Sequence, residues 1–226
     1  MRAFYGVAQS AGYRVGCAGQ TVYVFNDQGS EIARLKDIAY AYAAAFSPNG
    51  SLLAVRSTTP WLAFYAPPDF RLIQKLRMRR PNSQPQDEGF CFSPDGAQFW
   101  SLEYQNDLTT HLVSYDTKTF TESGRFFEGG RYVFSHVEPS TGGGYDLLGF
   151  RREQEEDDNS YWFVRFDGER IISQTPLTSS VYERAFRYKK VERCGFTEQI
   201  HSIWRMNERL TSPSPLTVLC MTAERA

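Results

Sequence analysis

The chain has 226 residues, of which 25 are basic and 26 acidic, giving a formal net charge of −1. That balance excludes an overall field that would draw in nucleic acid or a membrane surface, and no apolar run approaches the roughly 18–20 residues of a helical membrane span. With 15% aromatic residues, 17 Gly and 11 Pro, the composition favours strands joined by tight turns over helices.

In chain order, the first strand is expected within residues 3–8. Ser10-Ala11-Gly12 turns into Tyr13–Cys17, and further turns lead into strands at 21–25 and 31–35. A second unit begins near Ile38 and contains Phe46-Ser47-Pro48-Asn49-Gly50, which returns 46 positions later as Phe92-Ser93-Pro94-Asp95-Gly96. Each copy ends an apolar run, and Ser-Pro followed by Asn/Asp-Gly supplies a turn with one residue at positive φ. A β-rich run follows each time, so both copies read as strand, tight turn, strand. The later strands of the second unit are predicted at 61–65 and 71–76, and those of the third at 111–115 and 120–126.

A fourth unit starts near Arg131, with strands predicted at 145–150 and 161–166 and an Asp167-Gly168 turn into Glu169-Arg170-Ile171-Ile172. Beyond it, Ser180-Val181-Tyr182-Glu183 has the form of a helical capping box. Against a helix, residues 204–210 echo 164–171 with one residue deleted, and this echo favours a fifth set of strands beginning near 180–186. The expectation is therefore an all-β, five-bladed β-propeller of four-stranded antiparallel blades, with blades at about 1–37, 38–80, 86–128, 130–175 and 179–222 of a single domain spanning 1–226.

Phe-Ser-Pro-Asn/Asp-Gly before an apolar strand, with later strands ending in Tyr115-Asp116 and Phe166-Asp167, resembles the WD40-like repeats of bacterial propellers, including those of the TolB type. No Gly-His or Trp-Asp dipeptide occurs, so the chain departs from the eukaryotic WD40 pattern. The resemblance implies a rigid scaffold that binds something and implies no reaction.

The residues themselves offer little to catalysis. Only His111, His136 and His201 are available as imidazole bases, and there is no G-x-S-x-G elbow, H-E-x-x-H pair or phosphate-binding glycine loop. No cofactor, metal or catalytic residue is expected. Cys17, Cys91, Cys194 and Cys220 are scattered without metal spacing, and the three of them that sit in apolar runs read as reduced core thiols. With no apolar leader at the N-terminus, the expectation is a cytoplasmic monomer.

The leading functional reading is a non-catalytic module that binds a protein or peptide through its loop rim, without nucleic acid or membrane. The alternative is carbohydrate or small-ligand binding, or glycoside hydrolysis, at a central channel using acids such as Asp87, Glu88 and Glu183. The binding candidates lie on the rim where inner strands begin: Tyr40, Arg80, Glu88, Arg131, Tyr132, Tyr182 and Arg184. Arg77 and Arg79 add positive charge to that rim, and an acidic run over 153–158 adds negative charge. Trp61, Trp100, Trp162 and Trp204 fall within predicted strands and are expected to pack between blades.

Overall fold

The computed structural model describes residues 4–10, 12–79, 89–106, 109–152 and 160–182. The chain divides into two compact units, Met1–Arg184 and Ala185–Ala226, and every described residue belongs to the first.

Among the described residues, sixteen strands form four antiparallel sheets, each paired in simple chain order. The first sheet contains β1 (Gly6–Ser10), β2 (Tyr13–Cys17), β3 (Val22–Asn26) and β4 (Glu31–Leu35). The second contains β5 (Ala41–Phe46), β6 (Leu53–Ser57), β7 (Trp61–Ala66) and β8 (Arg71–Arg77). In the third are β9 (Phe90–Phe92), β10 (Gln98–Tyr104), β11 (Thr110–Asp116) and β12 (Glu122–Phe126). The fourth holds β13 (Tyr132–Pro139), β14 (Tyr145–Arg151), β15 (Ser160–Phe166) and β16 (Ile171–Leu177).

The first strands of the sheets lie side by side. Gly19 and Ala41 exchange backbone hydrogen bonds of 3.1 and 2.8 Å between the first two sheets. A Cβ on Gly6 would fall 2.2 Å from the Tyr42 carbonyl oxygen, and one on Gly89 would fall 2.6 Å from the Val137 nitrogen. Glycine is thus demanded where one inner strand presses on the next.

Packing then proceeds sheet face to sheet face. Val15, Cys17 and Val24 meet Leu53, Val55, Ala63 and Tyr65 in the first core. Leu62 and Phe64, on the other face of β7, meet Phe99, Val113 and Tyr115. Trp100 and Leu102, on the other face of β10, meet Phe134, Leu147, Val164 and Phe166. Because the middle sheets bury both faces, β6 and β10 read as almost uninterrupted buried runs rather than alternating ones. Each fully buried large side chain contributes roughly 1.5–3 kcal/mol, and those side chains gather in the clusters between sheets.

The architecture is propeller-like and all-β. The expected fifth blade is not among the described residues: four sheets are present there, and of 179–222 only 179–182 is described. Those four residues are helical, which corrects the strand expected at 180–186 over residues 180–182, its remainder lying outside the described residues. Thr178 begins the turn, its carbonyl oxygen accepting the Val181 and Tyr182 N–H groups at 3.1 and 3.0 Å. The capping chemistry of a hydroxyl before the helix outweighs the distant sequence echo at this point.

Candidate functional site: two rims and a cleft

Two rims bound the stacked sheets. One carries the ends where β1, β5, β9 and β13 begin, and the other carries the hairpins that leave those strands.

The second rim holds the repeated motif. Ser47 Oγ donates to Asn49 Oδ1 at 2.8 Å and accepts the Leu52 N–H at 2.9 Å. Ser93 Oγ donates to Asp95 Oδ1 at 2.6 Å and accepts the Gln98 N–H at 2.9 Å. Gly50 and Gly96 follow at φ of 70° and 72°, so serine and glycine are both required by the hairpin itself. The motif copies also touch: a Cβ on Gly96 would lie 3.6 Å from Pro48 Cδ. On the same rim, Asp116 Oδ1 accepts the Lys118 and Thr119 N–H groups, and Asp167 Oδ1 accepts those of Glu169 and Arg170. These backbone donors hold both carboxyls below the usual carboxylate range.

Between the third and fourth sheets this rim opens into a cleft of about 570 Å³. Its aromatic wall is Trp100, with Phe126 stacked 5.7 Å away and Tyr145 at 4.3 Å. Ser114 and Ser123, hydrogen-bonded at 2.9 Å, form another side, and Asp167 and Glu169 stand at the mouth. Burial pushes the Tyr145 phenol up, while the nearby indole N–H of Trp100 pulls against that shift. The two groups do not meet hydrogen-bond geometry, and the Trp100 Nε1 is buried without an acceptor.

The first rim is aromatic. Of the exposed large hydrophobic residues among the described ones, Phe4, Tyr5, Tyr40 and Trp61 all lie at this end, while Ile32 and Ile172 sit on outer strands. Tyr40 is 56% exposed and held at φ 56°, a backbone region that favours glycine. Its carbonyl oxygen accepts the Thr58 N–H at 3.1 Å, and the Gly19–Ala41 bridge beside it brings Tyr5 near, 3.8 Å from a Cβ built on Gly19. Trp61 continues the patch. Lys75 lies over its ring at 4.7 Å and donates to the Asp37 carbonyl oxygen at 2.7 Å. At 36% exposure, Trp61 is a rim residue and not the inter-blade filler expected of it.

The other sequence candidates are more dispersed. Tyr132 begins β13, stacks on Phe134 at 5.0 Å and donates to Gln174 Oε1 at 2.6 Å. Arg131 precedes it, exposed, its carbonyl oxygen accepting the Arg152 N–H at 2.9 Å. Tyr182 stacks on Tyr161 at 4.2 Å and lies 3.2 Å from the Ser135 hydroxyl. Tyr132 is therefore on the face of the fourth sheet shared with the third, through Phe134, while Tyr182 is on the other face. Arg80, Glu88 and Arg184 lie outside the described residues, as do Asp87, Glu183 and the acidic run 153–158. Arg79 reaches Glu122 at 3.7 Å.

One polar cluster escaped the sequence reading because its members are scattered over β10, β11 and β12. Glu103, fully buried, accepts the Tyr115 hydroxyl at 2.5 Å and lies 3.5 Å from Arg125. Arg125 also grips Glu122 through two 3.0 Å bonds and stands 3.3 Å from His111 Nδ1. Burial first, then the Glu103 charge, pushes the Tyr115 phenol up, and the Arg125 hydrogen bond pulls Glu122 down. With each carboxylate committed to a guanidinium, the cluster ties three strands together on the face toward the second sheet.

Fold and rims define a propeller-like all-β protein built from four-stranded antiparallel repeats. No family model and no curated protein matches the sequence. Among solved structures, the chain is similar to Kuenenia stuttgartiensis hydrazine synthase, with 15% identity and a TM-score of 0.63 over 78% of this chain and 50% of that one. This chain thus spans half the length of that neighbour, and the likeness bears on the fold alone. Among the described residues, no helix is long and apolar enough to cross a membrane.

Proposed function

We propose that the chain is a non-catalytic, WD40-like β-propeller scaffold whose repeat runs to five blades, and that it binds a protein or peptide partner on the rim where the inner strands begin. In this reading it works as a cytoplasmic monomer. The carrying observation is the gathering of exposed aromatic rings, Tyr5, Tyr40 and Trp61, around the junction of the first two sheets. Rings of this kind offer large contact area at low entropic cost when a rigid framework holds them. Tyr40 supports the reading further, because a bulky residue at φ 56° is strained and its ring is nonetheless left in solvent.

The test places a photo-crosslinking phenylalanine analogue at Tyr40, Trp61 or Ile172 in the producing cell. One and the same protein is expected to be captured from the first two positions and not from Ile172. Purified, that protein should bind Tyr40→Ala and Trp61→Ala at least about tenfold more weakly than wild type, the scale of a lost aromatic anchor. Equal capture at Ile172, or undiminished affinity of both variants, defeats the proposal.

A further inference from the structure

The cleft between the third and fourth sheets has a counterpart at each preceding junction, and there it is filled. Phe70 closes the β7–β8 turn at φ 52°, is 4% exposed, and meets Tyr13 of the first sheet edge-on at 5.0 Å. Phe120 closes the β11–β12 turn at φ 55° and lies 5.0 Å from Phe64 of the second sheet. Two turns in the same place thus hold a phenylalanine in a left-handed conformation and aim it at the preceding sheet. Left-handed backbone is unfavourable for any residue with a Cβ, so the ring's burial must outweigh it.

The β15–β16 turn cannot do the same. In the second and third sheets four residues, 67–70 and 117–120, separate the paired positions Ala66 and Arg71, and Asp116 and Thr121. In the fourth, Asp167 bonds directly to Arg170 at 3.1 Å, leaving only Gly168 and Glu169 between them. The shorter turn has lost the ring, and the cleft it leaves is lined by the half-buried Phe126, with the buried rings of Trp100 and Tyr145 at its base. Two carboxylates stand where the phenylalanine would enter, Asp167 with the Arg170 guanidinium 3.5 Å from its Oδ2 and Glu169 exposed beside it, and none of the described cleft-lining residues is a cation.

We propose that this cleft is a second binding site, which takes one aromatic side chain of a peptide in trans where Phe70 and Phe120 act in cis, the peptide carrying lysine or arginine beside that aromatic residue. The internal precedent fixes the ring, and Asp167 with Glu169 fixes the charge of its neighbours. The site is on the rim opposite Tyr40 and Trp61, so it stands or falls independently of the function proposed above.

The test titrates the full chain into fluorescein-labelled Gly-Lys-Phe-Lys-Gly and follows anisotropy at low salt. Saturable binding is expected, at least about tenfold tighter than for the peptide with alanine in place of phenylalanine. It should also be clearly tighter than for the peptide with glutamate in place of both lysines. Two variants close the cleft from opposite sides: Ser123→Phe, on an exposed position of β12, and replacement of Gly168-Glu169 by the third sheet's own turn, Thr-Lys-Thr-Phe. Both should abolish binding while unfolding cooperatively as wild type does, and Tyr40→Ala should bind the peptide unchanged. Absence of binding, equal affinity for the alanine peptide, or full binding by the turn replacement overturns the proposal.

Discussion

Phe70 gives a sharp test of the inter-sheet packing, because its two smallest replacements should rank in reverse of the usual order. Truncating a buried phenylalanine costs about 3–5 kcal/mol, and Phe70 qualifies, being 4% exposed and packed on Tyr13. Phe70→Ala loses the ring and keeps a Cβ at φ 52°, retaining roughly 1–2 kcal/mol of left-handed strain. Phe70→Gly loses the ring and the strain, at a cost of about 0.5–1 kcal/mol in chain flexibility. Glycine should therefore be better than alanine by about 0.7 kcal/mol, and by no more than about 1.5 kcal/mol. Phe92, 5% exposed in β9 and outside the positive-φ residues, is the control and should show the ordinary order, alanine above glycine. Urea unfolding followed by tryptophan fluorescence reads both pairs, with equal slopes as the check on two-state behaviour. If Phe70→Gly is no more stable than Phe70→Ala, the account of the turn is wrong.

Other outcomes follow from the same geometry. Arg125→Met should cost about 3–5 kcal/mol by removing the guanidinium 3.5 Å from the buried Glu103 carboxylate, and Glu103→Gln in the same chain should recover part of that loss in urea titration. Glu122 is held low by Arg125, so its contribution is present above its unfolded value near 4.5 and is lost as pH falls through the lower folded value; Glu122→Gln should flatten the acid limb of stability against pH. Tyr65, Tyr115 and Tyr145 are pushed above 10 chiefly by burial. Their contribution is complete below 10 and lost as pH rises, and absorbance at 295 nm should show them ionising only with unfolding. Gly6→Ala should destabilise strongly, since its Cβ meets the Tyr42 carbonyl, whereas Gly142→Ala, with nothing within 4 Å, should be nearly neutral in thermal unfolding.

The sequence reveals what is local. Tyr13–Cys17 and Glu31–Leu35 can be read to the residue because turn chemistry brackets them on both sides. The Phe-Ser-Pro-Asn/Asp-Gly hairpins are legible for the same reason, as their serine and Asn/Asp side chains bond within five residues. Relations between repeats are harder to see. Trp61 sits in an apolar strand, yet its position at the first residue puts it on a rim. Residues 179–182 resemble a strand only through a distant echo, and the Thr178 cap decides them locally. The cleft was missed because its signal is a deletion: two residues absent from the fourth unit's turn remove a ring, and composition does not register what a repeat lacks.

Each sheet also carries an irregularity at one repeated place. The pairing of third and fourth strands shifts register at Val24/Phe25, Phe64/Tyr65, Ser114/Tyr115 and Arg165/Phe166. Such a bulge sharpens the local twist and bends the strand that carries it. The outer strands β4, β8, β12 and β16 are the peripheral edges of their sheets, and a long flat edge would template the addition of a foreign strand. Arg71, Lys75 and Arg77 on β8 and Pro176 on β16 oppose the same event by charge and by a missing donor. A repeat unit that multiplies sheets also multiplies free edges, and here the safeguard against aggregation is copied along with the hazard.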